Sequence, residues 1–257
     1  MNDFIKNTLT NLCLVRDEHN STIGDDKYSN RLVFIINILK ENNIEYYIDT
    51  YSIHKEVYHN LIVPFVNDNH DTSLILTSHY DVVNIESDNC LDNSGSIVNL
   101  LYIILNLNKI KSELNRNIFC IFSSGEEVGG IGAQQISSQI INKEFKNVLG
   151  VINLELTSFG DTIIIEDYKR SFDIFINNRL RFEHKCVKEQ MPFSESLIYV
   201  LHDIQSCTLS LGYTINDKIE LSHWRLCHSN KDRIDLANFE DMENFCNKIL
   251  TLVILFS

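Results

Sequence analysis

Short apolar segments rich in β-branched residues alternate along this chain with longer segments whose apolar residues recur at helical spacing. The first kind predicts strands at 45–53, 60–66, 73–78, 117–123, 148–156, 161–167 and 208–214. The second kind predicts helices at 30–42, 94–106, 133–142, 171–186 and 236–255. Because such alternation builds sheets covered by helices on both faces, we expect an α/β fold: a three-layer α/β/α sandwich around a mixed, mostly parallel sheet. The first two strands are expected to form an antiparallel hairpin at its edge.

The length of 257 residues suits one large domain or two small ones. No internal repeat, low-complexity tract or linker rich in Gly, Ser or Pro divides the chain. We therefore expect a single domain over residues 1–257.

Acidic residues outnumber basic ones by 35 to 22, which gives a net charge of −13. A protein that binds a nucleic-acid backbone usually carries a basic patch, and none is visible, so no nucleic-acid partner is expected. The excess of carboxylates is compatible with solubility alone or with a cluster that holds cations. Composition does not choose between the two.

The seven cysteines have no CxxC spacing, which argues against a disulfide framework and against a thiolate zinc site. Most are expected to be small buried side chains. The first residues do not resemble a signal peptide, and no apolar run approaches the roughly 18 residues of a membrane helix. The sequence thus predicts a soluble, cytoplasmic protein without a membrane partner, and a monomer by default.

His79 and Asp81 follow the strand at 73–78, at the place where α/β folds have their sites. By alternation both side chains share one face. This suits a metal-binding imidazole with a carboxylate behind it that fixes its tautomer. Taken alone, such a histidine is more often a core or surface residue.

Acidic residues follow the next predicted strands. Asp92 precedes a helix, where it would cap that helix or bridge two metals. Glu126 and Glu127 follow the strand at 117–123, so that one can bind a metal while the other faces a water. Glu155 ends a strand that is apolar on both faces, and a buried carboxylate there needs a partner or a cation.

The last of these positions is His228, shortly before the C-terminal helix. Asp232 or Asp235 would orient its ring or cap the helix. Each of these pieces is weak alone, but the order His-x-Asp, Asp-Asn-x-Gly, Gly-Glu-Glu, Asn-Leu-Glu and His-Ser-x-x-Asp over residues 60–240 resembles the co-catalytic di-zinc exopeptidases. This is the family of aminopeptidase Y and the bacterial leucyl aminopeptidases, with glutamate carboxypeptidase and glutaminyl cyclase as relatives.

The resemblance implies two zinc ions per chain with five protein ligands: His79, Asp92, Glu127, Glu155 and His228. It implies that Asp92 bridges both ions and that the peptide bond Asp92–Asn93 is cis. It further implies that Asp81 supports His79 and that Glu126 is the general base of catalysis. The activity implied is that of an aminopeptidase, which hydrolyses N-terminal residues from peptides through a metal-activated water.

One position departs from the family pattern. The residue at Glu155 is usually Asp in the aminopeptidases, whereas related carboxypeptidases and deacylases with an inserted dimerisation domain often have Glu. The 73 residues from Glu155 to His228 are too few for such an insert. The chain therefore resembles the compact enzymes, but the substitution leaves the substrate class open.

The sequence leaves three alternative functions open. One is a glutaminyl cyclase on the same scaffold, and another is a non-catalytic binding protein. The third is a carboxypeptidase or amidohydrolase, which needs a cation for the substrate carboxylate, such as Arg179, Arg181 or Arg225. The segment 191–223 is expected to build the specificity pocket, with these candidates: Met191, Phe193, Ser194, Glu195, Tyr199, Cys207 and Tyr213. Ligand roles for His202 and His223 are not expected, and Trp224 is expected to pack.

Overall fold

The structure, a computed structural model, describes residues 3–16, 18, 21–23, 26–67, 69–83, 86–166, 168, 182–187, 193–216, 218–220 and 222–256. Its helices are α1 (Asp3–Cys13), α2 (Asn30–Glu41), α3 (Gly95–Lys109), α4 (Ile131–Ile141), α5 (Glu195–Leu201) and α6 (Phe239–Phe256). Its strands are β1 (Ser21–Ile23), β2 (Asp26–Tyr28), β3 (Tyr47–Ile53), β4 (Glu56–Phe65), β5 (Ser73–His79), β6 (Asn117–Ser123), β7 (Val148–Leu154), β8 (Thr162–Glu166), β9 (His184–Val187), β10 (Ser206–Ile215) and β11 (Lys218–Glu220).

The central sheet has the strand order β3-β4-β6-β5-β7-β10-β8-β9, and β11 pairs with β10. Neighbours from β6 through β5 and β7 to β10 are parallel, as are β8 and β9, whereas β3–β4, β4–β6 and β10–β8 are antiparallel. The sheet is therefore mixed, and the early hairpin β3–β4 lies at its edge, as predicted.

Alternating side chains of the central strands enter two separate cores, one on each face of the sheet. In β6, Cys120 and Phe122 belong to the core that contains α1, α2, α3 and α6. Phe119 and Ile121 belong to the opposite core, together with residues of α4 and α5. Strands buried on both faces need continuous apolar sequence, which is what these segments have. The three-layer prediction is confirmed.

Helix α3 is packed closely against the centre of the molecule. A Cβ atom at Gly95, its first residue, would lie 2.5 Å from Cβ of Ser158, so only glycine permits this approach. The stretch Cys90–Lys109 is long and apolar enough to span a membrane by length and composition, but most of it is buried inside the protein, which is typical of a core helix.

Several elements differ from the prediction. The helix predicted at 171–186 is wrong at its end, because His184–Val187 is strand β9, which pairs with β8; residues 171–181 lie outside the described residues. Helices α1 and α5 and the small hairpin β1–β2 were not predicted. Of the seven cysteines, five are buried as expected, whereas Cys186 is exposed and Cys227 is half-buried.

Candidate metal centre

The carboxyl ends of strands β5 and β7 bring His79 and Glu155 together. The two strands are parallel neighbours, with Thr77 opposite Asn153. His79 ends β5, and Nε2 of its ring lies 3.0 Å from Oε1 of Glu155. The second oxygen of Glu155 accepts a hydrogen bond from Nδ2 of Asn153 at 2.9 Å. The longer glutamate side chain is thus held in place by its own strand, with one oxygen directed to His79.

Asp92 lies between two pairs of side chains. Its Oδ1 is 3.3 Å from Nε2 of His79, and its Oδ2 is 3.0 Å from Nε2 of His228. The same His228 nitrogen is 2.9 Å from Oε2 of Glu127. The structure therefore brings all five predicted ligands together as two donor sets that share Asp92: His79, Asp92 and Glu155 in set one, and Asp92, Glu127 and His228 in set two.

The turn Cys90–Ser94 presents Asp92 to both sets. The peptide bond Asp92–Asn93 is cis, as the resemblance implied. The Asn93 side chain donates to the carbonyl of Leu154 at 3.3 Å and accepts the N–H of Leu156 at 3.2 Å. These contacts tie the turn to the end of β7, next to Glu155.

Asp81 supports the loop that follows β6. Its two carboxylate oxygens accept the backbone N–H groups of Glu126 at 3.2 Å and Glu127 at 3.1 Å. Gly125, with a φ of 72°, starts this loop in a conformation that favours glycine. Nδ1 of His79 is closer to the backbone carbonyl of Asp81, at 3.1 Å, than to its carboxylate, at 3.7 Å. Because a carbonyl only accepts, Nδ1 donates and Nε2 is free to bind a metal in the neutral ring.

The protonation states reflect crowded, buried carboxylates. Burial, followed by the charges of neighbouring carboxylates, raises the pKa of Glu126 to about 10. Burial, followed by Asp92, raises the pKa of Glu127 to about 8. The hydrogen bond to Asp92 raises the pKa of His228 to about 9. Burial opposes ionisation of Asp92, yet hydrogen bonds from His228 and His79 lower its pKa from the ordinary value. Nearby carboxylates that share a site hold their protons unless cations offset their charge.

The donor atoms fit divalent cations such as zinc. Zinc binds nitrogen and oxygen at about 2.0–2.2 Å in tetrahedral geometry, which places two ligand atoms of one ion about 3.3 Å apart. The N···O distances are 3.3 and 3.0 Å in set one and 3.0 and 2.9 Å in set two. His79, Asp92 and Glu127 each offer one ligand atom, and these three atoms lie within 4.8 Å of one another. Oε1 of Glu127 is buried and has no hydrogen-bond partner in the part of the chain that the structure describes.

A pocket of about 340 Å³ opens onto both donor sets. Its lining includes four carboxylates and His228. It also includes the apolar residues Leu156, Phe193, Trp224 and Cys227. The pocket thus combines acidic and apolar side chains.

Only part of the predicted specificity pocket lies here. Phe193 lines the pocket, but Tyr199 and Cys207 are fully buried in the two cores, and Tyr213 packs edge-on against Phe159. Met191 lies outside the described residues. Trp224 is buried in an apolar cluster, as expected, and also lines the pocket.

The other candidates named from the sequence do not line the pocket or lie outside the described residues. Ser194 is buried and its hydroxyl lies 2.7 Å from that of Thr208. His202 and Arg225 are exposed and do not line the pocket. The remaining candidates Arg179 and Arg181, and the side chain of His223, lie outside the described residues.

Glu195, at the start of α5, is fully buried beside the centre. Both of its carboxyl oxygens are buried. Burial raises the pKa of Glu195 to about 7. The sequence indicated this residue only as a candidate for the pocket.

Arg31 and Asp232 are buried charged residues near the metal centre; the sequence did not indicate Arg31, and it suggested a different role for Asp232. Arg31 of α2 donates from Nε to the carbonyl of Tyr80 at 2.7 Å and from Nη2 to the hydroxyl of Ser94 at 2.9 Å. Asp232 was expected to orient His228 or to cap a helix. It instead accepts two backbone N–H groups of the turn that contains Asp92. Its pKa is raised to about 6, chiefly by burial.

The sequence pattern of peptidase family M28 matches residues 60–253. No protein of curated function is detectably similar to the chain in sequence. Among solved structures, the LapA aminopeptidase of Legionella pneumophila has a TM-score of 0.79 at 15% identity, over 99% of this chain and 71% of LapA. Glutaminyl cyclase of Porphyromonas gingivalis has a TM-score of 0.74 at 13% identity, over 98% and 96% of the two chains. BSAP, a zinc aminopeptidase from Bacillus subtilis, has a TM-score of 0.64 at 18% identity, over 79% of this chain and 51% of BSAP. At such identities these likenesses establish the fold.

Proposed function

The chain belongs to peptidase family M28, and from this membership we propose that it is a zinc-dependent aminopeptidase that hydrolyses N-terminal residues from peptides. The observation that carries the proposal is the pair of donor sets that share Asp92. Two of the similar structures, LapA and BSAP, are aminopeptidases, which agrees with this assignment.

Each chain is proposed to bind two zinc ions. One ion would be held by set one and the other by set two, with Asp92 common to both. Two divalent ions bring four positive charges, which offset the four carboxylates grouped here: Asp92, Glu126, Glu127 and Glu155. Bound zinc supplies a coordinated water with a pKa of about 7 and polarises the scissile carbonyl.

Glu126 is proposed as the general base. It lines the pocket but belongs to neither donor set, and the hydrogen bond from its backbone N–H to the carboxylate of Asp81 holds it there. Its carboxylate accepts the proton of the attacking water and later gives that proton to the leaving amine. A buried carboxyl that binds protons readily is suited to both steps.

The side chains that line the pocket favour a substrate amine over a substrate carboxylate. Of the described residues that line the pocket, none is Lys or Arg, whereas four are Asp or Glu. The two proposed ions would offset the charge of these carboxylates, but their oxygens can still accept hydrogen bonds from a free α-ammonium group, whereas a C-terminal carboxylate has no side-chain cation to pair with among the described lining residues. This favours an aminopeptidase over the carboxypeptidase alternative.

The apolar residues that line the pocket favour apolar N-terminal side chains. Phe193, Trp224 and Leu156 would remove such a side chain from water, which is worth about 25 cal/mol per Å² of apolar surface. We therefore expect Leu or Phe at the substrate N-terminus to be preferred over Lys or Glu.

A glutaminyl cyclase is the second candidate, and one observation favours it. The match with this chain spans 96% of the length of the P. gingivalis cyclase but 71% of the length of LapA. The two activities differ in their products. A cyclase closes the ring of an N-terminal Gln and releases ammonia, whereas an aminopeptidase releases the residue itself.

The test is a mass-spectrometric assay of zinc-loaded protein on short peptides that begin with Leu, Phe, Lys, Glu or Gln, each free or N-acetylated. Release of the first residue from the free peptides only is expected. Cleavage of the acetylated peptides, or cyclisation of Gln peptides without cleavage, would refute the proposal. Glu126→Gln should retain zinc and lose turnover, and the exposed Glu113→Gln serves as a control.

A further inference from the structure

Asp232 lies four residues after His228, before the C-terminal helix α6. The residue is 1% exposed. Its Oδ1 accepts the backbone N–H of Leu91 at 2.6 Å, and its Oδ2 accepts that of Asp92 at 3.1 Å. The carboxylate thus joins the loop that contains one donor residue to the turn that contains another, across 140 residues of sequence.

A second carboxylate joins the same two segments in the opposite direction. Oδ2 of Asp88 accepts the backbone N–H of Ile234 at 2.9 Å, and its Oδ1 lies 3.2 Å from Nη1 of Arg233. The N–H of Asp88 donates to the carbonyl of Asp232 at 3.0 Å. Asp88 therefore contributes to the same junction, but its carboxylate does not contact the backbone of Asp92.

We propose that Asp232 is a positioning residue of the metal centre: by holding the peptide N–H of Asp92, it orients the carboxylate shared by both donor sets relative to His228. The proposal rests on the metal site of the proposed function, but it concerns binding of the ions and not turnover.

The chemistry of the contact calls for a carboxylate. Each of the two adjacent N–H donors has its own carboxylate oxygen, and of the side chains only Asp and Glu offer two such acceptor oxygens. A buried carboxylate is costly without such bonds, so its presence at this place indicates that both N–H groups are fixed by it. In Asp232→Asn one oxygen remains, and the NH₂ group would face the second N–H.

Zinc binding to metal-free protein tests the proposal, measured by competition with a chromophoric chelator. Asp232→Asn should raise the zinc Kd by about 10- to 100-fold, the usual effect of losing a group that orients metal ligands. Asp88→Asn removes the same charge from the same junction and should change the Kd by less than about 3-fold. Thermal unfolding of both metal-free variants separates loss of stability from loss of zinc affinity.

Asp232→Glu provides a second variant if Asp232→Asn does not fold. It keeps both acceptors but displaces them by one methylene, so the visible absorption spectrum of its Co²⁺ form should differ from that of the wild type, and Asp88→Asn should leave that spectrum unchanged. The proposal would be overturned if Asp232→Asn kept the wild-type zinc Kd or if Asp88→Asn lost as much zinc affinity as Asp232→Asn. An unchanged Co²⁺ spectrum in Asp232→Glu would also overturn it. A wild-type chain that binds zinc but cleaves no peptide would contradict the aminopeptidase assignment only.

Discussion

Glu126 makes the stability of the metal-free protein depend on pH in a definite direction. Its folded-state pKa is raised from the ordinary 4.5 to about 10, chiefly by burial, and it is 6% exposed. The contribution of this group to stability is therefore present below pH 4.5 and is lost as the pH rises toward 10. At pH 7 the carboxyl group of Glu126 is ionised in the unfolded chain but protonated in the folded, metal-free chain. The 2.5 pH units above 4.5, at about 1.4 kcal/mol each, amount to a loss of about 3 kcal/mol.

Glu126→Gln cannot ionise and should escape this loss. Between pH 4.5 and pH 7, the free energy of unfolding of the variant should shift by about 3 kcal/mol in its favour relative to the wild type. For a chain of this size, that is roughly 10 °C in the midpoint of thermal unfolding. The assay is calorimetry of chelator-treated protein at both pH values, with Glu113→Gln as the control. A difference between variant and wild type that is independent of pH would refute the reasoning, since Glu126 would then be ionised in the folded protein.

Three further predictions follow from the site and its surroundings. Zinc at 100 times its Kd should stabilise the metal-free protein by about 2.7 kcal/mol in thermal unfolding, and an unchanged midpoint would contradict the metal centre. Gly95→Ala should destabilise the fold by about 1–3 kcal/mol in urea unfolding, because its Cβ would lie 2.5 Å from that of Ser158; full stability would mean that α3 can shift freely. Phe193→Ala, at a side chain that is 46% exposed, should leave stability nearly unchanged but lower kcat/KM for peptides with N-terminal Leu by about tenfold or more. Equal losses for N-terminal Leu and Ala would argue against a pocket wall at Phe193.

The strands that form the centre of the sheet were predictable because their physics is local. Strands β5, β6 and β7 are mostly buried, so their central residues are largely apolar, and the first acidic or histidine side chain comes at the end of each strand or within three residues of it. The sequence alone therefore places His79, Glu126 and Glu155 at one edge of the sheet.

Other elements depend on contacts that a sequence pattern does not contain. Strand β9 pairs in parallel with β8, and its few residues also fit a helical pattern. Helix α5 has only seven residues, which is too short for a clear periodicity. The partners of Asp232 are backbone N–H groups 140 and 141 residues away, and every residue type offers the same group. The single domain, the cytoplasmic location, the monomeric state and the absence of nucleic-acid or membrane partners stay predictions.

The two donor sets differ in their access to solvent. The side chain of His79 is fully buried, whereas that of His228 is 54% exposed. If two ions bind as proposed, the ion in set two would be the more open to the bulk solution and should exchange faster than the ion in set one. On that proposal, dialysed protein should lose the ion of set two first, and its activity should then depend on the free zinc concentration.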